Sequence, residues 1–260
     1  MQNKKLFFLI SSLFLVLVIF QSNLFQVLEF KFNRPTPFPQ DVRQPQDHTI
    51  ILLGDSMTER LGNSDELRAY LKEYYPNKTF EILNYGFGST NILSVVDRLE
   101  KETFYHRAFR PILDIDFDLI LFESFGYNPL SALPLEEGLK KQAESLSSAI
   151  RLIKEKNPKA KIVFVATIAP SKTKYGFSTV KLSSEKRAEW AKERMVYIEN
   201  HIKFAKENEI PLINIYEKSL QGGTGNLLYI SDKDYIHPSP TGVYFISKEM
   251  AKFIFDYGIY

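Results

Sequence analysis

Short, almost wholly apolar runs alternate with longer amphipathic ones from residue 48 to residue 260, and this alternation narrows the fold more than any other feature of the chain. Residues 49–53 form a β-branched-rich run that ends at Gly54. Residues 80–84 form a second run. Residues 117–123 (FDLILFE) form a third, apolar enough to be buried on both faces. Residues 161–166 (KIVFVA) and 211–215 complete the set. Between them the spacing predicts helices over 66–75, stopping at Pro76, over 90–104, over 135–156 and over 185–208. The third of these carries Leu139, Ala143, Leu146, Ile150 and Ile153 on one stripe. Ser239 is placed to cap a last helix with Pro240 at its first position, where no amide donor is wasted. The polar stretch 171–184 reads as a surface loop. Strand–helix alternation of this kind predicts a parallel sheet of five strands with helices on both faces. Ligands of such sheets bind outside the carboxyl ends of the strands.

The first 47 residues follow different rules. Lys4 and Lys5 precede residues 6–28, which carry no charge and are mostly apolar. A helix of that length rises roughly 35 Å, enough to cross a bilayer core. The first alanine of the chain is Ala69, so an A-x-A cleavage site is absent. Residues 1–28 are therefore expected to be an uncleaved anchor, with the N-terminus cytoplasmic and the rest outside. Residues 29–47 hold Pro35, Pro37, Pro39 and Pro45 and read as a stiff spacer. Residues 48–260 form the remaining domain. The net charge of +2 and the lack of a basic stripe argue against nucleic-acid binding. The chain has no cysteine, which removes a thiol nucleophile and thiolate zinc sites. No histidine or carboxylate cluster points to a metal, and no cofactor motif is present.

Two segments hold the residues of a nucleophile–base pair. Gly54-Asp55-Ser56 directly follows the first strand, where glycine permits a sharp turn and a serine would stand at the carboxyl edge. Alone, this triplet more often simply caps a helix. Asp234-Tyr235-Ile236-His237 lies just before the last helix. Histidine can take a serine proton near neutral pH, and a carboxylate three residues ahead can orient the ring. Asp232 is the nearest rival for that place. His48, His106 and His201 have no such setting and read as surface or packing residues. Two more segments fall between. Asn84-Tyr85-Gly86-Phe87-Gly88-Ser89-Thr90 ends the second strand, and its glycines allow an amide to face a ligand. Gly126-Tyr127-Asn128-Pro129 follows the third strand, where the Asn128 amide can donate to an oxyanion. Phe87, Phe125 and Tyr127 flank these segments as candidates for substrate contact or for plain packing.

These four blocks, in this order and each at a strand end, resemble those of the SGNH (GDSL-like) hydrolase family. Gly54-Asp55-Ser56 is similar to its G-D-S block, with Met57 where many members have leucine. Gly88 aligns with its oxyanion glycine, since polar Ser89 and Thr90 follow; Gly86 is the lesser choice. Gly126-Tyr127-Asn128 resembles the G-x-N-D block, with Pro129 in place of the aspartate. Asp234 and His237 match D-x-x-H in full. The resemblance spans 49 to about 255 and implies a flavodoxin-like three-layer α/β/α sandwich. It implies Ser56 as nucleophile, His237 and Asp234 as its acid–base partners, and an oxyanion hole from Ser56, Gly88 and Asn128. The activity it implies is that of a serine esterase. O-acetyl groups of surface glycans or a lipid ester are the expected substrates. An O-acyltransferase with the same triad and a non-catalytic binding module on the same fold are the alternatives.

Overall fold

The first strand, β1 (His48–Gly54), owes its central place to four consecutive aliphatic residues. Ile50, Ile51, Leu52 and Leu53 are all buried, so neither face of the strand meets water. In the computed structural model, which describes residues 46–260, β1 is flanked by β2 (Phe80–Gly86) and β3 (Leu119–Glu123), parallel to both. Next to β3 come β4 (Lys161–Ala166) and β5 (Leu212–Asn214), also parallel. The strand order is therefore 2-1-3-4-5, the flavodoxin-like arrangement, with a topological switch point beside β1.

Side-chain parity divides the core in two, as a two-residue period requires. Ile50, Leu52, Leu119, Leu121, Val163 and Val165 face one cluster; Ile51, Leu53, Ile120, Phe122 and Phe164 face the other. Helices α2 (Asp65–Tyr74) and α7 (Pro240–Asp256) cover the first face through Leu67, Leu71, Ile246, Met250 and Ile254. Helices α3 (Val95–Glu100) and α4 (Leu135–Lys156) cover the second through Val95, Leu99, Leu146, Ala149 and Ile153. Helix α5 (Ser184–Glu207) contributes to both clusters, with Ala191, Met195 and Ile198 on one side and Tyr197 and Phe204 on the other. The result is the expected three-layer α/β/α order.

Two expectations need correction. Residues 90–104 do not form one helix. A 3-10 turn at Ile92–Ser94 leads into α3, and the chain then turns extended at Lys101. Thr103–Tyr105 and Arg107–Phe109 pair as a small antiparallel hairpin, with His106 at positive φ in its turn. β-branched and aromatic residues at 103–105 favour this extended form once the helical stripe of Val95 and Leu99 has ended. The fifth strand is also shorter than expected. The Asn214 side chain accepts from the amide of Glu217 and starts a one-turn helix at Ile215–Lys218.

The membrane anchor expected at 1–28 and all but the end of the 29–47 spacer lie outside the described residues. Asp47, assigned to the spacer, is already part of the domain, since its carboxylate accepts from the Thr79 amide at 2.7 Å. Among the described residues no helix is long and apolar enough to cross a membrane.

Candidate active site

The Gly54-Asp55-Ser56 turn is built by close approach. A Cβ on Gly54 would stand 2.0 Å from Thr58 Oγ1 and 2.8 Å from Glu123 Cβ, so only glycine lets β1 turn here. Asp55 is fully buried, and its Oδ1 accepts from the amide of Met57 at 2.8 Å. This caps the one-turn helix α1 (Ser56–Glu59), whose first residue is Ser56. Ser56 is half-buried at the carboxyl end of the sheet. Among the described residues its hydroxyl has no hydrogen-bond partner. Asp55 thus holds the turn and leaves the serine hydroxyl unencumbered.

Asp234 and His237 come together as the spacing predicts. Asp234 Oδ1 accepts from the amides of Ile236 (2.9 Å) and His237 (3.0 Å), and Oδ2 lies 2.7 Å from His237 Nδ1. With Nδ1–H given to the carboxylate, Nε2 is the nitrogen left to accept a proton. Burial pushes the Asp234 carboxyl up. The hydrogen bonds from the His237 ring and the two amides outweigh it and hold the carboxyl below its ordinary range. Asp234, not Asp232, is the residue that orients the ring. The Tyr235 backbone at positive φ folds the segment tightly, and Ser231 N–H donates to the His237 carbonyl at 2.8 Å.

The two oxyanion candidates have partners of their own. Asn128 donates from Nδ2 to Asp55 Oδ2 at 2.9 Å, so the residue before Ser56 fixes the asparagine amide. Pro129 does not disturb this turn, which closes through Asn128 N–H to the Phe125 carbonyl at 3.2 Å. Gly86 N–H donates to Asn84 Oδ1 at 2.8 Å, and Gly88 N–H to the Tyr105 hydroxyl at 2.9 Å. Phe87, Phe125 and Tyr127 are at most 4% exposed. They are packing residues.

Several residues at the site escaped the sequence reading. Glu123, the last residue of β3, is 2% exposed. Its Oε2 accepts from the Asp55 amide at 3.3 Å, and Oε1 accepts from Ser124 Oγ at 2.6 Å. Burial raises its carboxyl well above the ordinary value, and the neighbouring Asp55 charge raises it further. Asp55 is also raised by burial. Arg98, from α3, is equally buried. It donates to the carbonyls of Gly54 (2.7 Å) and Tyr85 (2.9 Å) and to Ser94 Oγ (2.8 Å), tying the ends of β1 and β2 to α3. Burial lowers its guanidinium to about 10, so it stays charged at neutral pH. A glutamate closing an otherwise apolar strand was the available signal for Glu123. Arg98 gave none, because an arginine on an amphipathic helix ordinarily faces water. The three other histidines do fall among surface and packing residues; His201 is fully buried, stacked on Phe164 at 4.2 Å.

A parallel sheet in the 2-1-3-4-5 order, with a Gly-Asp-Ser turn after β1 and an aspartate–histidine pair before the last helix, defines a carboxylic ester hydrolase of the α/β type. The model of the GDSL-like lipase/acylhydrolase family matches residues 52–243, most of the chain, and the protein belongs to that family. Among solved structures it is similar to a lipase/acylhydrolase from Enterococcus faecalis. That match has 15% identity and a TM-score of 0.54, and covers 81% of this chain and 96% of the other. It is similar as well to an acetylxylan esterase from Geobacillus stearothermophilus, at 13% identity and a TM-score of 0.55, covering 80% and 94%. A further acetyl xylan esterase, AlAXEase, aligns at 15% identity and a TM-score of 0.55, over 78% and 98%. Identities this low establish a shared fold. No curated protein matches the chain.

Proposed function

We propose that this protein is a membrane-anchored serine esterase that removes small O-acyl groups, foremost acetyl, from glycans outside the cytoplasm. The observation that carries the proposal is the 2.7 Å contact between Asp234 Oδ2 and His237 Nδ1, which leaves Nε2 as the nitrogen able to take a proton. Ser56 Oγ attacks the ester carbonyl carbon while His237 Nε2 takes its proton. The carbonyl oxygen becomes an oxyanion, held by the amides of Ser56 and Gly88 and by the Asn128 side chain. The tetrahedral centre collapses, and the leaving alcohol departs with the proton from His237. A water molecule then gives up a proton to His237 and attacks the acyl-serine, releasing acid and restoring Ser56.

The acetyl preference is drawn from the acetylxylan esterases that share the fold, and from the membrane location that residues 6–28 imply. Wild type should hydrolyse p-nitrophenyl acetate faster than longer acyl esters and release free acetate from O-acetylated oligosaccharides. Ser56→Ala should lose about 10⁴-fold or more in kcat and all labelling by a fluorophosphonate. Wild type that neither turns over nor labels would refute the esterase reading. Acetyl passed to added glycan in preference to water would replace it with the transferase reading.

A further inference from the structure

The hydroxyl of Tyr105 sits where a ligand of the Gly88 amide would sit. Gly88 N–H donates to it at 2.9 Å, and the hydroxyl donates in turn to Glu59 Oε1 at 2.9 Å. A phenol has one proton to give. With that proton committed to Glu59, the oxygen can only accept from Gly88. Phenol oxygen and carboxylate together make a polarised acceptor, close in character to the oxyanion that the amide is meant to hold. The approach is close: a Cβ on residue 88 would lie 2.7 Å from the Tyr105 hydroxyl and 2.5 Å from Glu59 Oε2, the ends of two flexible side chains.

We propose that Tyr105 is a positioning residue of the active site whose hydroxyl occupies the Gly88 amide until the substrate carbonyl displaces it. The proposal rests on the reading of Gly88 as an oxyanion donor. The contrast with Gly86 supports it. The Gly86 amide is held by Asn84, two residues away, and Asn84 is itself clamped to the carbonyls of Thr58 and Gly62 at 3.0 and 2.9 Å. That bracket has no moving part. The partner of Gly88 comes instead from the Thr103–Phe109 hairpin, two strands of three residues each. Hairpins so short have little stability of their own. Phe104, in the middle of its first strand, is 80% exposed. The Tyr105 ring stacks on Phe87 at 4.7 Å, which gives the closed position a defined seat that does not depend on the hydroxyl. Acceptor groups on incoming esters therefore compete with an internal one. Esters with poorly polarised carbonyls are penalised most.

The test compares wild type, Tyr105→Phe, Glu59→Gln and the double variant, with kcat and KM for p-nitrophenyl acetate and the rate constant for fluorophosphonate inactivation. Removing an occupant worth one ordinary hydrogen bond should raise kcat/KM of Tyr105→Phe about three- to tenfold, and the inactivation rate constant with it. Phenylalanine keeps the stack on Phe87. Glu59→Gln should move both readouts the same way by less, because glutamine releases the tyrosine proton from its charged anchor. It should add nothing once Tyr105 is phenylalanine. A scaffold role for the hydroxyl predicts the opposite sign, so unchanged or lower values in a folded Tyr105→Phe overturn the proposal. Should Tyr105→Phe fail to fold, Glu59→Gln decides alone: a rise supports the proposal and a fall overturns it. Wild type that neither hydrolyses nor labels refutes the esterase reading and the proposal with it, an outcome separate from any difference between variants.

Discussion

Asp55 and Glu123 end neighbouring strands, and their burial costs the fold something that the site then uses. Asp55 anchors both the Met57 amide and the Asn128 side chain, so the proposed nucleophile turn and the proposed oxyanion asparagine share one carboxylate. Asn128→Ala should lower kcat about 10²–10³-fold with a small change in KM, the range for losing one oxyanion donor, measured on p-nitrophenyl acetate. Glu123 yields a pH prediction with a definite sign. Its carboxyl is raised by burial, so the folded state holds that proton more tightly than the unfolded chain does. The stability tied to Glu123 is complete below the unfolded glutamate value of about 4.3 and is lost as pH rises toward the folded value. Glu123→Gln cannot ionise, and its amide can still accept from Asp55 N–H. Its Tm should exceed that of wild type at pH 8, by roughly 2–4 °C per kcal/mol relieved, and the gap should close near pH 4 in differential scanning calorimetry. A gap that does not change with pH would contradict the assignment. Asp234 runs the other way, because its carboxyl is depressed. Its contribution is present above the unfolded aspartate value and is lost as pH falls through the folded one.

At the level of elements, local chemistry was a good guide wherever one signal dominated. Residues 135–156 and 161–166 are helix and strand as read, because a long apolar stripe and a β-branched run each leave no competitor. The last helix starts at Pro240 as its cap predicts. Ser239 Oγ accepts from Gly242 N–H at 3.0 Å and donates to the Leu228 carbonyl at 2.7 Å. Ser239→Ala removes both bonds. It should cost about 1 kcal/mol, or roughly 2–4 °C in Tm for a chain of this size; thermal denaturation followed by circular dichroism checks it. The reading failed at 90–104, where the helical stripe of Val95 and Leu99 runs into residues that favour extended chain. Periodicity carries no mark for the residue at which one preference yields to the other. The hairpin at 103–109, and Tyr105 with it, was therefore invisible until the chain was folded.

For the whole molecule, the uncharged stretch 6–28 sets a prediction that the folded domain does not address. Expressed full length, the chain should sediment with membranes and stay in the pellet through alkaline carbonate washing. Added protease should reach the domain from the extracytoplasmic face only. Release by carbonate would remove the anchor from the proposed function.

The five parallel strands, the long helices and the places of Gly54-Asp55-Ser56 directly after a strand and of Asp234 and His237 just before the last helix were legible in the chain. Each depends on residues near one another in sequence. The Asp234–His237 contact spans three residues, and so its geometry follows from one loop. What only the tertiary structure decided is the company those residues keep. Asn128 meets Asp55 across 73 positions, Asp55 meets Glu123 across 68, and Tyr105 reaches Glu59 across 46. Such pairs are brought together by strand order and register, and register is set by burying the whole sheet at once. No local pattern encodes that sum, so a buried arginine and a tyrosine on the Gly88 amide emerge only when the core has closed.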